Sequence, residues 1–483
     1  MIILILGLIV PRIVVISYGS EVNGLLSSTT QLLHYLAIFE AGLASVMRNS
    51  LYGEIASDNK KNVSGIFTAG TRYYRRVSFY YLSCLIIASV IFAFAIRSEI
   101  PRLTIFLVVM LSGLSSVITF SFLSSIKNVI EADGNYYFIA VLDLVLRVLN
   151  YGVTIAAALL HFDVVVIKAL ALVTTIINIA IYRIYFNKKY GWIDNKAEPQ
   201  LHRFKQRKFY VVHQLASLLF STTDVTLLTF FANLTVVSIY TVYNSVTSAI
   251  HTLMNSISSS LVFALGQTFN EDLKKYYKLH DAFKCFYILT NFILITICYY
   301  MFIPFVNVYM RGADADYADN WVALLFCLIS LLNCSRMVDN NLASIAFKMK
   351  ETMHHVIIEA AINLVVSVSL IWNLGIYGVL LGTCCAILYR VVVAPYFSEK
   401  HVLHRPIING YKHAIVNWIL FACMYFIRQR ILIVAYSYLG LVKIAFVVGV
   451  IVAIIYFLVN GIFFREEYKY FLSAVFNKKA KKA

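Results

Sequence analysis

Long apolar runs alternate with short polar connections along most of the chain. The runs fall at residues 1–18, 24–47, 77–96, 103–126, 136–160, 164–187, 209–232, 238–265, 285–306, 321–346, 353–373, 375–396, 411–427 and 438–464. A helix needs roughly 20 predominantly apolar residues to cross a bilayer. The pattern therefore predicts an all-α polytopic membrane protein with about fourteen transmembrane helices. The runs are continuous and do not alternate apolar with polar residues, which excludes a β-barrel. The first run starts at Met1 without a polar lead-in, too long and too poorly flanked for a cleaved signal peptide. We expect a first helix that lacks a short cytoplasmic extension.

Composition agrees: of 483 residues 60% are hydrophobic and only 13% charged, with a mean hydropathy of +0.78. The net charge of +17 would suggest an anionic partner if it were spread evenly, but it is not. The connections at 48–76, 127–135, 183–208, 266–284, 347–352 and 397–413 and the tail from 465 hold 30 of the 41 Lys and Arg residues. The opposite connections hold only Arg97, Arg102, Arg311, Arg428 and Arg430. Positive loops face the cytoplasm, so both termini are expected there and the basic surplus reflects topology. Nucleic acid is not implied. The 203–208 and 477–483 stretches are expected to touch anionic lipid headgroups. The eight cysteines lack metal or disulfide spacing and read as small hydrophobes.

A weak internal repeat divides the chain. Residues 18–33 and 232–247 align at an offset of 214, which also aligns Asp58-Asn59-Lys60-Lys61 with Asp272-Leu273-Lys274-Lys275. The halves would be two six-helix lobes around a central cavity, 1–200 and 201–396, followed by two further helices and a basic tail over 397–483. Both halves would share one orientation, a recurrent transporter plan.

Particular residues then suggest a family. Pro11-Arg12 late in the first helix, the turn Gly19 … Gly24-Leu25, Glu-Ala-Gly-Leu at 40–43, the basic Asp-x-Lys-Lys loop and "WNLGIYGVLLGT" at 372–383 resemble bacterial polysaccharide flippases. These belong to the multidrug/oligosaccharidyl-lipid/polysaccharide exporter superfamily. The resemblance implies two lobes forming a V in the bacterial inner membrane, working by alternating access. The cargo it implies is an oligosaccharide repeat unit on undecaprenyl diphosphate, moved from the cytoplasmic to the outer leaflet. It implies no cofactor, Na+ or H+ as the coupling ion, and a polysaccharide polymerase and glycosyltransferases as partners.

Charges at membrane depth are the candidate site, because they are costly there and usually pair or line a wet path. They are Arg12, Arg147, Lys168, Arg336, Arg390 and Lys443 against Glu40, Asp143, Asp224, Asp339 and Glu359, with Arg48 at a helix end. Asp143–Arg147 and Arg336–Asp339 have the i,i+4 and i,i+3 spacings of local ion pairs. Lys168 and Lys443 lie near helix ends and can snorkel. Arg12 and Glu40 have no opposite charge three or four residues away along the sequence. They either pair between the first two helices or face the cavity, Arg12 toward a diphosphate and Glu40 toward a sugar hydroxyl or coupling cation. Arg suits diphosphate because its planar fork donates two parallel hydrogen bonds. Asp224 stands among Ser221, Thr222, Thr223 and Thr226, which either satisfy its carboxylate or join it in holding Na+ or a proton. Arg12, Glu40, Arg48, Arg147, Asp224, Arg336, Glu359 and Arg390 are the expected transport-path residues, and no metal site or catalytic group is expected. The eighth span, rich in Asn, Ser and Thr over 244–260, is expected to face a cavity.

"GIFTAGTR" at 65–72 has the glycine spacing of a phosphate loop but not its Lys-Ser/Thr, so no ATP engine is expected. A membrane enzyme would show a sizeable outer loop or a clustered acid–base site, and neither is evident. The remaining rivals are a lipid II-type precursor flippase and a cation-coupled drug antiporter.

Overall fold

A computed structural model describes residues 2–40, 42–201, 223–346 and 348–480. Every described regular element is a helix. The elements are α1 (Ile2–Tyr18), α2 (Ser20–Leu36), a 3-10 turn (Ala37–Glu40), α3 (Leu43–Ala56), α4 (Lys60–Ala95), α5 (Arg102–Phe122), α6 (Ser124–Ala132), α7 (Tyr136–Leu159) and α8 (Val164–Tyr190). Helical residues 223–231 form α9. There follow α10 (Leu234–Glu271), α11 (Leu273–Tyr309), α12 (Asn320–Ile345), α13 (Met349–Leu374), α14 (Ile376–Phe397), α15 (Ile408–Arg428), α16 (Tyr438–Phe463) and α17 (Arg465–Ala480). Among the described residues, nine helices are long and apolar enough to cross a membrane. The protein is an all-α, multi-pass membrane protein.

Most of the seventh expected span, with Ser221, Thr222 and the 203–208 basic stretch, lies outside the described residues, as do residues 481–483 of the tail. Two other spans differ from expectation. The run 24–47 is not one helix: it breaks at the 3-10 turn, and α3 restarts after Gly42, whose φ of +73° is open to glycine at little steric cost. The run 103–126 breaks at Leu123, between α5 and α6. Two connections expected as loops are partly helical. Asn59 Oδ1 accepts from Asn62 N at 3.2 Å, and Asp272 Oδ1 accepts from Lys274 N at 2.9 Å and Lys275 N at 3.2 Å. These N-caps satisfy orphan amides and start α4 and α11 well before the apolar run.

The chain forms two compact units, residues 1–241 with 313–315 and residues 242–312 with 316–483. In the first, buried residues of α3 to α8, Leu51, Tyr74, Tyr81, Val108 and Tyr182 among them, form one core. Within it, α2 lies close to the start of α10. A Cβ on Gly24 would meet the Leu234 carbonyl oxygen at 1.9 Å, so only glycine fits there. Asn23 Nδ2 donates to Ser238 Oγ at 2.7 Å, and Ser28 and Thr229 share a hydrogen bond of 2.6 Å. In the second unit, α13 packs on α14 and α12 on α14, while α11 contacts α12, α15, α16 and α17.

Candidate functional site

The break after α2 accounts for Glu40. A helix interruption frees backbone groups that hydrocarbon cannot satisfy, so it is tolerated where polar groups or water surround it. Glu40 ends the 3-10 turn and is half-buried, with Tyr74 Oη of α4 at 3.5 Å from its Oε1. Tyr74 in turn accepts from Asn128 Nδ2 of α6 at 2.9 Å. Asn128 Oδ1 accepts from Arg48 Nη1 of α3 at 3.1 Å, and the same nitrogen lies 3.3 Å from Glu131 Oε2. Glu40 and Arg48 are thus joined by way of two buried side chains, Tyr74 and Asn128. Neither intermediary stands out in the sequence.

Arg12 lies half-buried in the middle of α1, which packs against α2 and α7. Asp224 is buried on α9, and its Oδ2 accepts from the buried Tyr240 Oη of α10 at 3.0 Å.

The expected Asp143–Arg147 pair is not made. Lys127 Nζ of α6 reaches both oxygens of Asp143 at 2.8 and 2.9 Å, and Tyr182 Oη of α8 donates to Oδ1 at 3.0 Å. Two partners from neighbouring helices displace the local one. Arg147 is exposed on α7 and joins no network with the other candidates among the described residues.

The expected Arg336–Asp339 pair is also replaced. Asp339 is fully buried against Lys284 Nζ, 2.7 Å from each carboxylate oxygen. Lys284, counted above as a loop cation, sits inside α11 because that helix starts at Leu273. His280 and Asp281 belong to the same polar cluster, where Arg405 bridges Asp281 and Glu399 at 2.7 Å each. A lysine directly ahead of an apolar run, one turn after His280-Asp281, is the signal that was available.

Arg336 turns to Glu359 of α13 instead, its Nη1 at 2.5 Å from Oε1. Arg390 of α14 approaches the other oxygen, its Nε 3.3 Å from Oε2, but that N–H is not aimed at the carboxylate and makes no hydrogen bond. Asn333 Oδ1 accepts from Arg336 Nη2 at 2.8 Å, and Asn340 Oδ1 accepts from Arg390 Nη2 at 2.8 Å. Side-chain exposures are 12% for Arg336, 5% for Glu359 and 7% for Arg390. Three of the eight expected residues therefore meet in one buried cluster. Among the described contacts two guanidiniums share one carboxylate, a formal surplus of one positive charge within the cluster.

A cavity of about 880 Å3 in this unit is bounded by Arg311, Arg428 and Arg430 with Tyr299 and Tyr425. It includes Asn320, Trp321 and Leu324 at the start of α12, about three or more turns from Arg336, and shares no lining residue with the cluster. Along α10, Thr252, Asn255, Ser256 and Ser259 are exposed, a polar face on an otherwise apolar helix.

No protein-family model and no curated protein sequence matches the chain. Solved structures do. The chain is similar to the lipid II flippase MurJ in an inward closed conformation, with a TM-score of 0.69 and 13% identity over 96% of this chain and 97% of that one. It is also similar to an inward-facing multidrug resistance MATE family transporter of the MOP superfamily, with a TM-score of 0.63 and 13% identity over 84% of this chain and 95% of that one. The chain has the fold of the MOP superfamily, the exporter superfamily named above.

Proposed function

We propose that the protein is a flippase of the bacterial inner membrane. It moves undecaprenyl-diphosphate-linked oligosaccharide repeat units from the cytoplasmic to the outer leaflet by alternating access, with both termini cytoplasmic. The observation that carries this reading is the surplus guanidinium charge held around Glu359. A buried cation excess at membrane depth is costly unless an anion answers it, and a diphosphate is an anion that arginine grips bidentately. The uncharged polar face of α10 supports the same reading, because sugar hydroxyls need dense neutral hydrogen-bonding groups. Glu40, beside Tyr74 at the helix break, is assigned the coupling cation, Na+ or H+. The polysaccharide polymerase and the glycosyltransferases that make the repeat unit are the proposed partners.

Complementation tests this. The chain is expressed in a bacterium lacking its own repeat-unit flippase, and surface polysaccharide is measured for wild type and Arg336→Gln at matched membrane levels. Rescue by wild type and loss in the variant is the expected result. The fold similarity to MurJ favours one rival, so the same plasmid is placed in a strain depleted of its lipid II flippase. Growth there without polysaccharide rescue in hosts of several repeat-unit types overturns the proposal. Lowered accumulation of a cationic dye, with neither rescue, assigns the chain to drug export.

A further inference from the structure

Arg72, Arg75 and Arg183 all line one cavity in the first unit, about 480 Å3 in volume. Arg72 and Arg75 stand three residues apart on α4, while Arg183 and Asn187 stand four apart on α8. Both spacings bring the two side chains to one helix face.

Among the described residues no carboxylate lines the cavity, and none of the three arginines makes an ion pair or hydrogen bond. Other cations of the same unit do find acids: Arg48 has Glu131, Lys127 has Asp143 and Lys189 has Asp133. Three guanidiniums around one cavity repel one another unless an anion sits among them. A second observation points the same way. Thr71 borders this cavity, and its Oγ1 is buried without a hydrogen-bond partner among the described residues, which is uncommon for a buried hydroxyl.

We propose that this cavity binds a phosphate ester, held by Arg72, Arg75 and Arg183 with Thr71 donating a further hydrogen bond. Guanidinium groups match phosphate geometry, and basic pockets between helices on the cytoplasmic side suit anionic lipid headgroups. All three arginines belong to connections that the charge asymmetry assigns to the cytoplasm. The exposed Phe122 borders the cavity and offers an apolar flank to an acyl chain. The phosphate comes either from an anionic lipid of that leaflet or from a soluble phosphate ester in the cytosol. The site is independent of the transported cargo and stands if the proposed cargo fails.

The test uses the purified full chain. Native mass spectrometry reads retention of phosphatidylglycerol against phosphatidylcholine, and calorimetry reads binding of inorganic pyrophosphate. Arg72 and Arg183 are exposed, so the double variant Arg72→Gln/Arg183→Gln is expected to fold, which its melting temperature checks. The expected result is binding of at least one phosphate probe, weakened about tenfold or more in the double variant and unchanged in Arg97→Gln. Loss of phosphatidylglycerol identifies a lipid site, and loss of pyrophosphate alone identifies a soluble ester. Thr71→Val is the second variant, expected to weaken the same probe while keeping the wild-type melting temperature. Binding of neither probe to wild type, or equal binding to the double variant, overturns the proposal.

Discussion

Arg336 of α12 donates to Glu359 of α13, a residue 23 positions away, and passes over the acid three positions along its own helix. The choice has a physical cause. Asp339 is already paired with Lys284 of α11, so Arg336 turns to Glu359, which Arg390 also approaches. Removing one member of a buried ion cluster leaves an uncompensated charge. Glu359→Gln is therefore expected to destabilise by about 3–5 kcal/mol, read as a lowered melting temperature in detergent. Replacing Arg336, Glu359 and Arg390 together by Met, Leu and Met is expected to restore most of that stability yet abolish transport. A stable triple variant that still transports would return the cluster to scaffolding.

The link from Glu40 to Arg48 makes a second prediction. Tyr74→Phe removes the hydroxyl that lies beside Glu40 and accepts from Asn128. Asn128 Nδ2 keeps a bond to the Ser124 carbonyl at 2.9 Å, so the stability loss is expected to be small, about 1 kcal/mol. Transport is expected to fall much further, and Glu40→Gln is expected to match it. Equal, modest effects on stability and transport in both variants would make the network structural.

The fold was legible in the sequence because hydrophobic runs of bilayer length leave few alternatives. The intramembrane charges were legible as a set for the same reason, since each one stands out against an apolar background. Their pairing was not. Spacing along one helix reveals i,i+3 and i,i+4 neighbours, whereas Lys127–Asp143, Lys284–Asp339 and Arg336–Glu359 each join two helices whose relative rotation no single helix encodes. The helix break beside Glu40 was hidden differently. Ala37 to Leu43 reads as good helix apart from Gly42, and one glycine in an apolar run also marks close packing, as Gly24 does.

That ambiguity among glycines sets up a third test, with three alanine substitutions of different expected sign. Gly42→Ala forces a side chain into the left-handed region and is expected to cost about 1–2 kcal/mol. Gly24→Ala puts a methyl 1.9 Å from a backbone oxygen, so α2 must move away from Leu234; a larger loss is expected, with little folded protein recovered. Gly53 lies inside α3 with nothing within 4 Å of its added Cβ. Gly53→Ala is expected to stabilise by about 0.5–1 kcal/mol through helix propensity alone. Melting temperatures of the three variants check the order, and a stable Gly24→Ala protein would show that the α2 crossing is looser than described.

The last prediction concerns pH. Asp314, in the connection before α12, accepts from Ser20 N at 3.0 Å and from Ser20 Oγ at 2.5 Å, at the start of α2. Burial pushes its carboxyl up, but hydrogen bonds from the Ser20 side chain and backbone and from its own backbone together outweigh burial and hold it below the usual carboxylate range. An unfolded aspartate titrates at about 3.9, so between that value and the lower folded one the unfolded chain binds more protons. The contact then contributes its full stability above the ordinary aspartate range and loses it as pH falls through the depressed folded value. Asp314→Asn is expected to lower the melting temperature at pH 7 by a small amount, and the gap to wild type is expected to close as pH falls below about 4. A gap that stays constant from pH 7 to pH 3 would mean that the charge on Asp314 contributes nothing and that only the shape of the side chain holds α2 at this point.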